Sequence, residues 1–138
     1  MRVKHIYRKE ERLKSNRVIK TLFSSARNFL VHPFKVNWQL RKDNGRYPAR
    51  VLISVSKKHF RKASERNHMK RLIREAYRIN KYILYEFLEE KGVQCDFSII
   101  YIAKEAEVYS EVEKKIIKLL NRLISELELH LHQNNPTS

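Results

Sequence analysis

The sequence predicts an α+β layered domain with a small mixed sheet, and three observations carry that reading. The first is the order of periodicities, which runs helix, two or three strands, helix, strand, helix. The second is the contrast between two strand patterns. Phe34, Val36, Trp38 and Leu40 alternate with polar residues, as in a half-buried strand, whereas Phe97-Ser98-Ile99-Ile100-Tyr101-Ile102 is apolar on both faces, as in a central one. The third is size, since 138 residues make one domain with a core large enough to need no staples.

Residues 1–14 are polar and basic with no apolar period, and are expected to form a flexible or partly ordered arm. Ser15 or Asn16 can cap a first helix whose Val18, Ile19, Leu22 and Phe23 recur at helical spacing, ending near Ser25. Pro33 has no N–H for a ladder, so it should divide a short first strand from a longer second one or sit on an edge. Asp43-Asn44-Gly45 supplies turn chemistry before a strand from Ala49 to Ser56. A basic helix should follow from about Ala63 to Leu88, breaking before Gly92. The last helix, about Ser110 to His130, sets Val112, Ile116, Leu119, Leu120, Leu123, Ile124 and Leu127 along one stripe, which makes it a core helix. Residues 133–138 should be a flexible tail.

The formal charge of +15 is unevenly placed. Residues 1–20 carry eight Lys/Arg against two acids, and residues 57–81 carry ten against two. Residues 82–138 carry six against ten, so the basic field belongs to the first 81 residues. Such asymmetry favours a polyanionic partner, nucleic acid before membrane. No stretch approaches the length of a spanning helix, and the basic start is not followed by a hydrophobic run, so a cytoplasmic protein with no membrane partner is expected. No obligate protein partner is evident either.

Several chemistries are disfavoured. Cys95 is the single cysteine, which excludes an internal disulfide or a paired-cysteine metal site, and its apolar setting suggests a packed thiol. With Gly45 and Gly92 as the only glycines there is no glycine-rich phosphate loop. The acids of the first 81 residues, Glu10, Glu11, Asp43, Glu65 and Glu75, are scattered rather than clustered for metal ions or acid–base work. The six histidines show no paired ligand spacing, and His130 and His132 should be solvated.

The most informative stretch is Arg66 to Arg78. At about 100° per residue, Arg66, Asn67, Lys70, Arg71, Arg74 and Arg78 fall within an arc of roughly 140°, joined by Lys81 if the helix continues. Met69, Leu72, Ile73, Ala76 and Tyr77 fill most of the other side, with Tyr77 at the border. No acid stands among these bases to pair them, so an external anion should offset their self-repulsion. Lys57, Lys58, Arg61 and Lys62 on the preceding loop should extend the same phosphate-binding surface. Arginine suits bidentate phosphate contact, and Asn67 can donate and accept toward RNA. Glu75 reads as a structural partner for a nearby arginine.

Residues 51–78 closely resemble the signature of the protein subunit of bacterial ribonuclease P. Val51-Leu52-Ile53-Ser54-Val55-Ser56-Lys57-Lys58 matches a strand ending in S-V-S-K-K, and Arg66-Asn67-His68-Met69-Lys70-Arg71-Leu72-Ile73-Arg74-Glu75 matches R-N-R-x-K-R-x-x-R-E on a helix. Arg12-Leu13-Lys14 with Ile19, Leu22 and Phe23 resembles the family's opening, and Asp96-Phe97-Ser98-Ile99-Ile100 its D-x-x-I-I strand. The loop before Arg66 is one residue longer than the common spacing, Leu52 stands where glycine is usual, and His68 replaces an arginine.

The resemblance implies an α-β sandwich of the ribosomal S5 domain 2-like kind, with a left-handed crossover through the basic helix. It also implies a ribonucleoprotein endonuclease in which a catalytic RNA, with Mg2+, removes the 5′ leader from precursor tRNA, while the protein binds that RNA and the leader. No residue of the chain would then be catalytic. The leader cleft needs stacking platforms flanked by positive charge. Phe23, with Lys35, Asn37 and Gln39 opposite the Phe34/Val36/Trp38 face, are its candidates, while Phe34 and Trp38 themselves read as core. The competing readings are a ribosomal or general RNA-binding protein that assists RNA folding, and, more remotely, a metal-dependent nuclease acting alone.

Overall fold

The computed structural model describes residues 6–133 apart from 26, 42–44 and 59. The Asp43-Asn44 part of the expected turn therefore lies outside the described residues, as do positions 1–5 and 134–138. Four strands form one mixed sheet in the order β1 (Arg27–Val31), β2 (Phe34–Arg41), β4 (Gln94–Tyr101), β3 (Ala49–Val55). β1 with β2 and β2 with β4 are antiparallel, and β3 with β4 is parallel. Parallel neighbours need a long crossover. It is supplied by α2 (Ala63–Asn80) and α3 (Tyr82–Lys91), so the basic helix is part of the connection that closes the sheet. Pro33 falls between β1 and β2, after a cis His32–Pro33 bond, dividing short strand from long as its chemistry requires.

Register sorts the side chains into two layers. Trp38, Phe97 and Val51 stand abreast on β2, β4 and β3, followed by Val36, Ile99 and Ile53, then Phe34, Tyr101 and Val55. All nine are buried, beneath α2 and α4 (Tyr109–Gln133). From α2 come Met69, Ile73, Ala76 and Tyr77, and from α4 the stripe Val112, Ile116, Leu119, Leu120, Leu123 and Leu127, all but fully buried. Tyr77 thus belongs wholly to the core and not to the border of the charged face. Ile124 is only partly buried at the stripe's edge. α1 (Asn16–Ser25) packs on the other face of the sheet through Leu22. Cys95 is fully buried against the core, and that burial pushes its thiol up to about 12. Among the described residues no helix is long and apolar enough to cross a membrane.

Of the two forms expected of the basic arm, residues 6–14 take the ordered one, anchored at two buried residues, and two further expectations are corrected. Leu13 is buried and donates its N–H to the Val51 carbonyl at 2.9 Å, and Arg12 bridges to Val51 beside β3. The cause is Glu11, whose side chain enters the interior to accept from Lys81 Nζ and Tyr85 OH, while its other oxygen accepts the Arg8 N–H at 2.6 Å. The basic helix stops at Asn80, not Leu88, because Asn80 turns its amide back to the Ala76 carbonyl (2.9 Å) and across to Glu113 (2.9 Å), and Lys81 turns inward. A second helix then runs to Gly92, whose φ of +65° suits the left-handed stop that glycine adopts without strain. Finally, His130 is half-buried rather than fully solvated. It packs edge-on against Trp38 with ring centroids 5.7 Å apart, and burial followed by the Arg27 charge lowers its pKa, while His132 is exposed.

Candidate nucleic-acid interface

The end of β3 delivers the chain into the basic loop. The Ser56 N–H donates to the Tyr101 carbonyl at 3.1 Å, the buried Phe60 ring packs near Tyr101, and the Phe60 backbone N–H donates back to the Ser56 carbonyl. That anchor leaves Lys57, Lys58, Arg61 and Lys62 exposed immediately before α2. Lys62 sits at the N-cap without a side-chain capping bond, so the positive end of the helix dipole adds to the field of the loop.

Along α2 the buried residues hold one face to the sheet and present the basic residues on the other. Asn67, Arg71 and Arg74 are exposed there, and Lys70 is half-buried. The stripe divides into two kinds of charge. Arg66 spans the loop, with Nη1 donating to the carbonyls of Phe60 (2.6 Å) and Arg61 (2.8 Å), so one of its tasks is to hold Arg61 and Lys62 in place. Arg78 forms a bidentate pair with Glu75 at 2.9 and 2.8 Å. The expectation that no acid is spaced to pair with these bases is therefore corrected at Arg78, and Glu75 is the structural partner anticipated for it. The bond to Arg78 lowers the Glu75 pKa and correspondingly raises that of Arg78.

Lys81 departs further from the helical projection. It is about 2 % exposed, bonded to Glu11 and the Ile6 carbonyl, and belongs to the interior rather than the stripe. Arg71 and Arg74 remain as exposed cations aimed at solvent, with no ion pair to any acid among the described residues. Sequence reasoning missed Tyr7, which stands beside this face. Arg12 lies over its ring at 5.1 Å, and the ring meets Tyr77 edge-on at 5.7 Å.

The second group of candidates lies across the sheet, under α1. Lys35 is exposed and Gln39 half-buried on that face, and Phe23 on α1 is 46 % exposed, a large ring left in water. Asn37 is corrected from an open cleft group to a buried one. It is 5 % exposed, its N–H donates to Ser98 Oγ at 3.2 Å, and its Oδ1 lacks a hydrogen-bond partner among the described residues.

A cavity of about 510 Å³ opens between α1 and the sheet, where Arg17, Val18 and Thr21 face Gln39, Arg41 and Arg50. Asp96 at its base takes Arg50 bidentately at 2.8 and 2.8 Å and Arg41 at 3.1 Å. Two guanidiniums therefore meet at one buried carboxylate in the cleft wall. Sequence spacing could not reveal this group, since Asp96 is 46 residues from Arg50 and 55 from Arg41. Among the described residues no group of three or more His, Cys, Asp or Glu side chains is arranged to hold a metal ion. Asp96, the buried acid nearest the cleft, is committed to its arginines.

A family model described as Ribonuclease P matches residues 7–124. The chain is 36 % identical over 115 residues to a Ribonuclease P protein component of Porphyromonas gingivalis, covering 83 % of this chain and 84 % of that one. Among solved structures it is similar to the RNase P protein from Thermotoga maritima, at a TM-score of 0.64 and 29 % identity, over 81 % of this chain and 96 % of the other. The RNase P protein of Staphylococcus aureus shares the fold at a TM-score of 0.66 and 23 % identity, over 83 % of this chain and 96 % of that chain.

Proposed function

The chain belongs to the ribonuclease P family, as the protein component of that tRNA-processing endoribonuclease, and we propose that it divides two RNA-binding tasks between the two sides of its sheet. α2 and the loop before it bind the catalytic RNA, through Lys57, Lys58, Arg61, Lys62, Asn67, Lys70, Arg71 and Arg74, with Arg66 and Arg78 contributing charge while bracing the surface. The face under α1 takes the 5′ leader of precursor tRNA, with Phe23 as a stacking platform and Lys35, Gln39 and the Arg41/Arg50 pair supplying polar and positive walls. A cytoplasmic location, beside its tRNA substrate, is part of the same proposal.

The observation that carries this reading is the pair Arg71 and Arg74, exposed on one helix face and in no ion pair with an acid among the described residues. A protein bears that self-repulsion most readily where a polyanion docks. Mg2+ is assigned to the RNA, since among the described residues no group of three or more His, Cys, Asp or Glu side chains is arranged to hold it. The protein's part is to bind and position, and the bond cleavage belongs to its RNA partner.

Reconstitution tests the whole. Multiple-turnover leader removal on adding purified catalytic RNA at low Mg2+ is the expected result. Binding that folds RNA without stimulating cleavage would favour a general RNA-binding protein, and cleavage without added RNA would overturn the division of labour. Phe23→Ala should weaken precursor tRNA binding more than mature tRNA binding, and equal losses would remove Phe23 from the cleft.

A further inference from the structure

The segment 6–14 does more than cover the edge of the sheet. Its Glu11 anchor, buried with Lys81 and Tyr85, fixes the backbone so that Tyr7 and Arg12 stand beside α2. Between them and the helix lies an open cavity of about 540 Å³, within the size range of small-molecule sites. Arg71, Leu72 and Arg74 line it from α2, next to the Glu75–Arg78 pair.

This combination differs from a phosphate-binding surface in one respect, which is its apolar content. A surface built only for phosphate has no use for an aromatic ring and a leucine. Here the Tyr7 ring with the Arg12 guanidinium over it, and Leu72, half-buried against the core, lie within a ring of guanidiniums. Arginine planes and aromatic faces both stack on bases, whereas the arginines toward the rim suit the attached phosphates. The paired Glu75 carboxylate at the edge can accept from an exocyclic amino group. Burial pushes the Tyr7 phenol up to about 12, against the opposing charges of Arg12 and Arg74, so it remains a neutral donor across the physiological range.

We propose that this cleft is a subsite for one unpaired nucleotide of the RNA partner, with its base against Tyr7, Arg12 and Leu72 and its phosphates on Arg71 and Arg74. The subsite rests on the RNA-binding reading of α2 and adds to it a contact of a different kind. A duplex phosphate backbone cannot use the apolar wall, because its bases are stacked away from the protein, so the occupant is a base free to leave its neighbours.

The source is either the catalytic RNA or the precursor tRNA, and one experiment separates them. Full-length protein is irradiated with reconstituted complex in which 4-thiouridine or 6-thioguanosine is incorporated in one RNA at a time, and the adducts are mapped on both chains. The expected result is a crosslink from Tyr7, or its peptide, to a single unpaired nucleotide in one of the two RNAs. Tyr7→Ala and Leu72→Ala should each lower affinity for that RNA by roughly 5- to 100-fold while leaving the slope of log K against log salt unchanged, as lost stacking does. Arg74→Ala should instead flatten the slope by about one.

Wild-type protein that binds RNA but yields no crosslink at Tyr7, or crosslinks spread evenly along the RNA, would overturn the subsite and leave the phosphate surface standing. Absence of RNA binding by the wild type would overturn both. Because the crosslink uses unaltered protein, instability of a Tyr7 variant cannot mimic the negative result.

Discussion

Lys81→Met isolates the buried pair that fastens the N-terminal segment to the domain. The side chains of Lys81 and Glu11 are 3 % and 1 % exposed, so their charges are screened little by water. In the variant Glu11 keeps Tyr85 and the Arg8 N–H but loses the one cation bonded to it among the described residues. Removing one member of a buried pair costs about 3–5 kcal/mol, because the charge left behind is uncompensated. An unfolding entropy of about 2.1 cal/mol/K per residue over 138 residues gives about 0.29 kcal/mol/K, so the thermal midpoint should fall by about 10–17 °C. Glu11→Gln together with Lys81→Met removes both charges and should recover most of the loss, with a coupling energy of at least about 2 kcal/mol in the double-mutant cycle. Urea denaturation and calorimetry of the four proteins measure this. A single-variant loss below about 1 kcal/mol, or additive losses, would mean that the segment is held by Leu13 and its Val51 bond rather than by the ion pair.

Two arginines of one motif should behave differently. Arg66→Ala should cost about 1–3 kcal/mol in stability through its two carbonyl bonds, whereas Arg74→Ala should leave urea midpoints nearly unchanged and lower the salt slope of RNA binding by about one; identical profiles would refute the division. Asp96→Asn leaves Arg41 and Arg50 without their shared carboxylate and should destabilise the fold by about 3 kcal/mol, read from denaturant midpoints. Cys95 should resist alkylation in native protein at pH 8 and react fully in denaturant, and fast native labelling would contradict its burial. Its thiol, raised from 9 to about 12 on folding, contributes stability that is intact below pH 9 and lost as pH rises toward 12. Thermal midpoints should therefore decline over that window, less steeply in Cys95→Val.

How much of this was legible in the sequence follows from the range over which each feature is decided. The α4 stripe and the β2 alternation repeat within a few residues, so periodicity located both, and Pro33 marked the β1/β2 division by its own chemistry. The fate of a charge is not local in that sense. Lys81 projects into the basic arc of α2 as well as Arg74 does, yet Glu11, 70 residues away, and the Ile6 carbonyl turn it inward. Asn37 occupies a solvent-facing position in the β2 alternation, yet the neighbouring strand places Ser98 against it and buries it. The anchoring of the 6–14 segment leaves no sequence period because it depends on one charged residue and one leucine.

A charge stripe therefore reports sign but not availability. In the run from Arg66 to Lys81, Lys81 is consumed by the core, Arg66 braces the loop and Arg78 is paired on its own helix, while Arg71 and Arg74 are left for a partner. On the proposed function the residues spent internally still matter to RNA. They hold the loop lysines, the helix end and the Tyr7/Arg12 wall in fixed relation, and a polyanion meeting preset charges loses less entropy in binding than one that must order them.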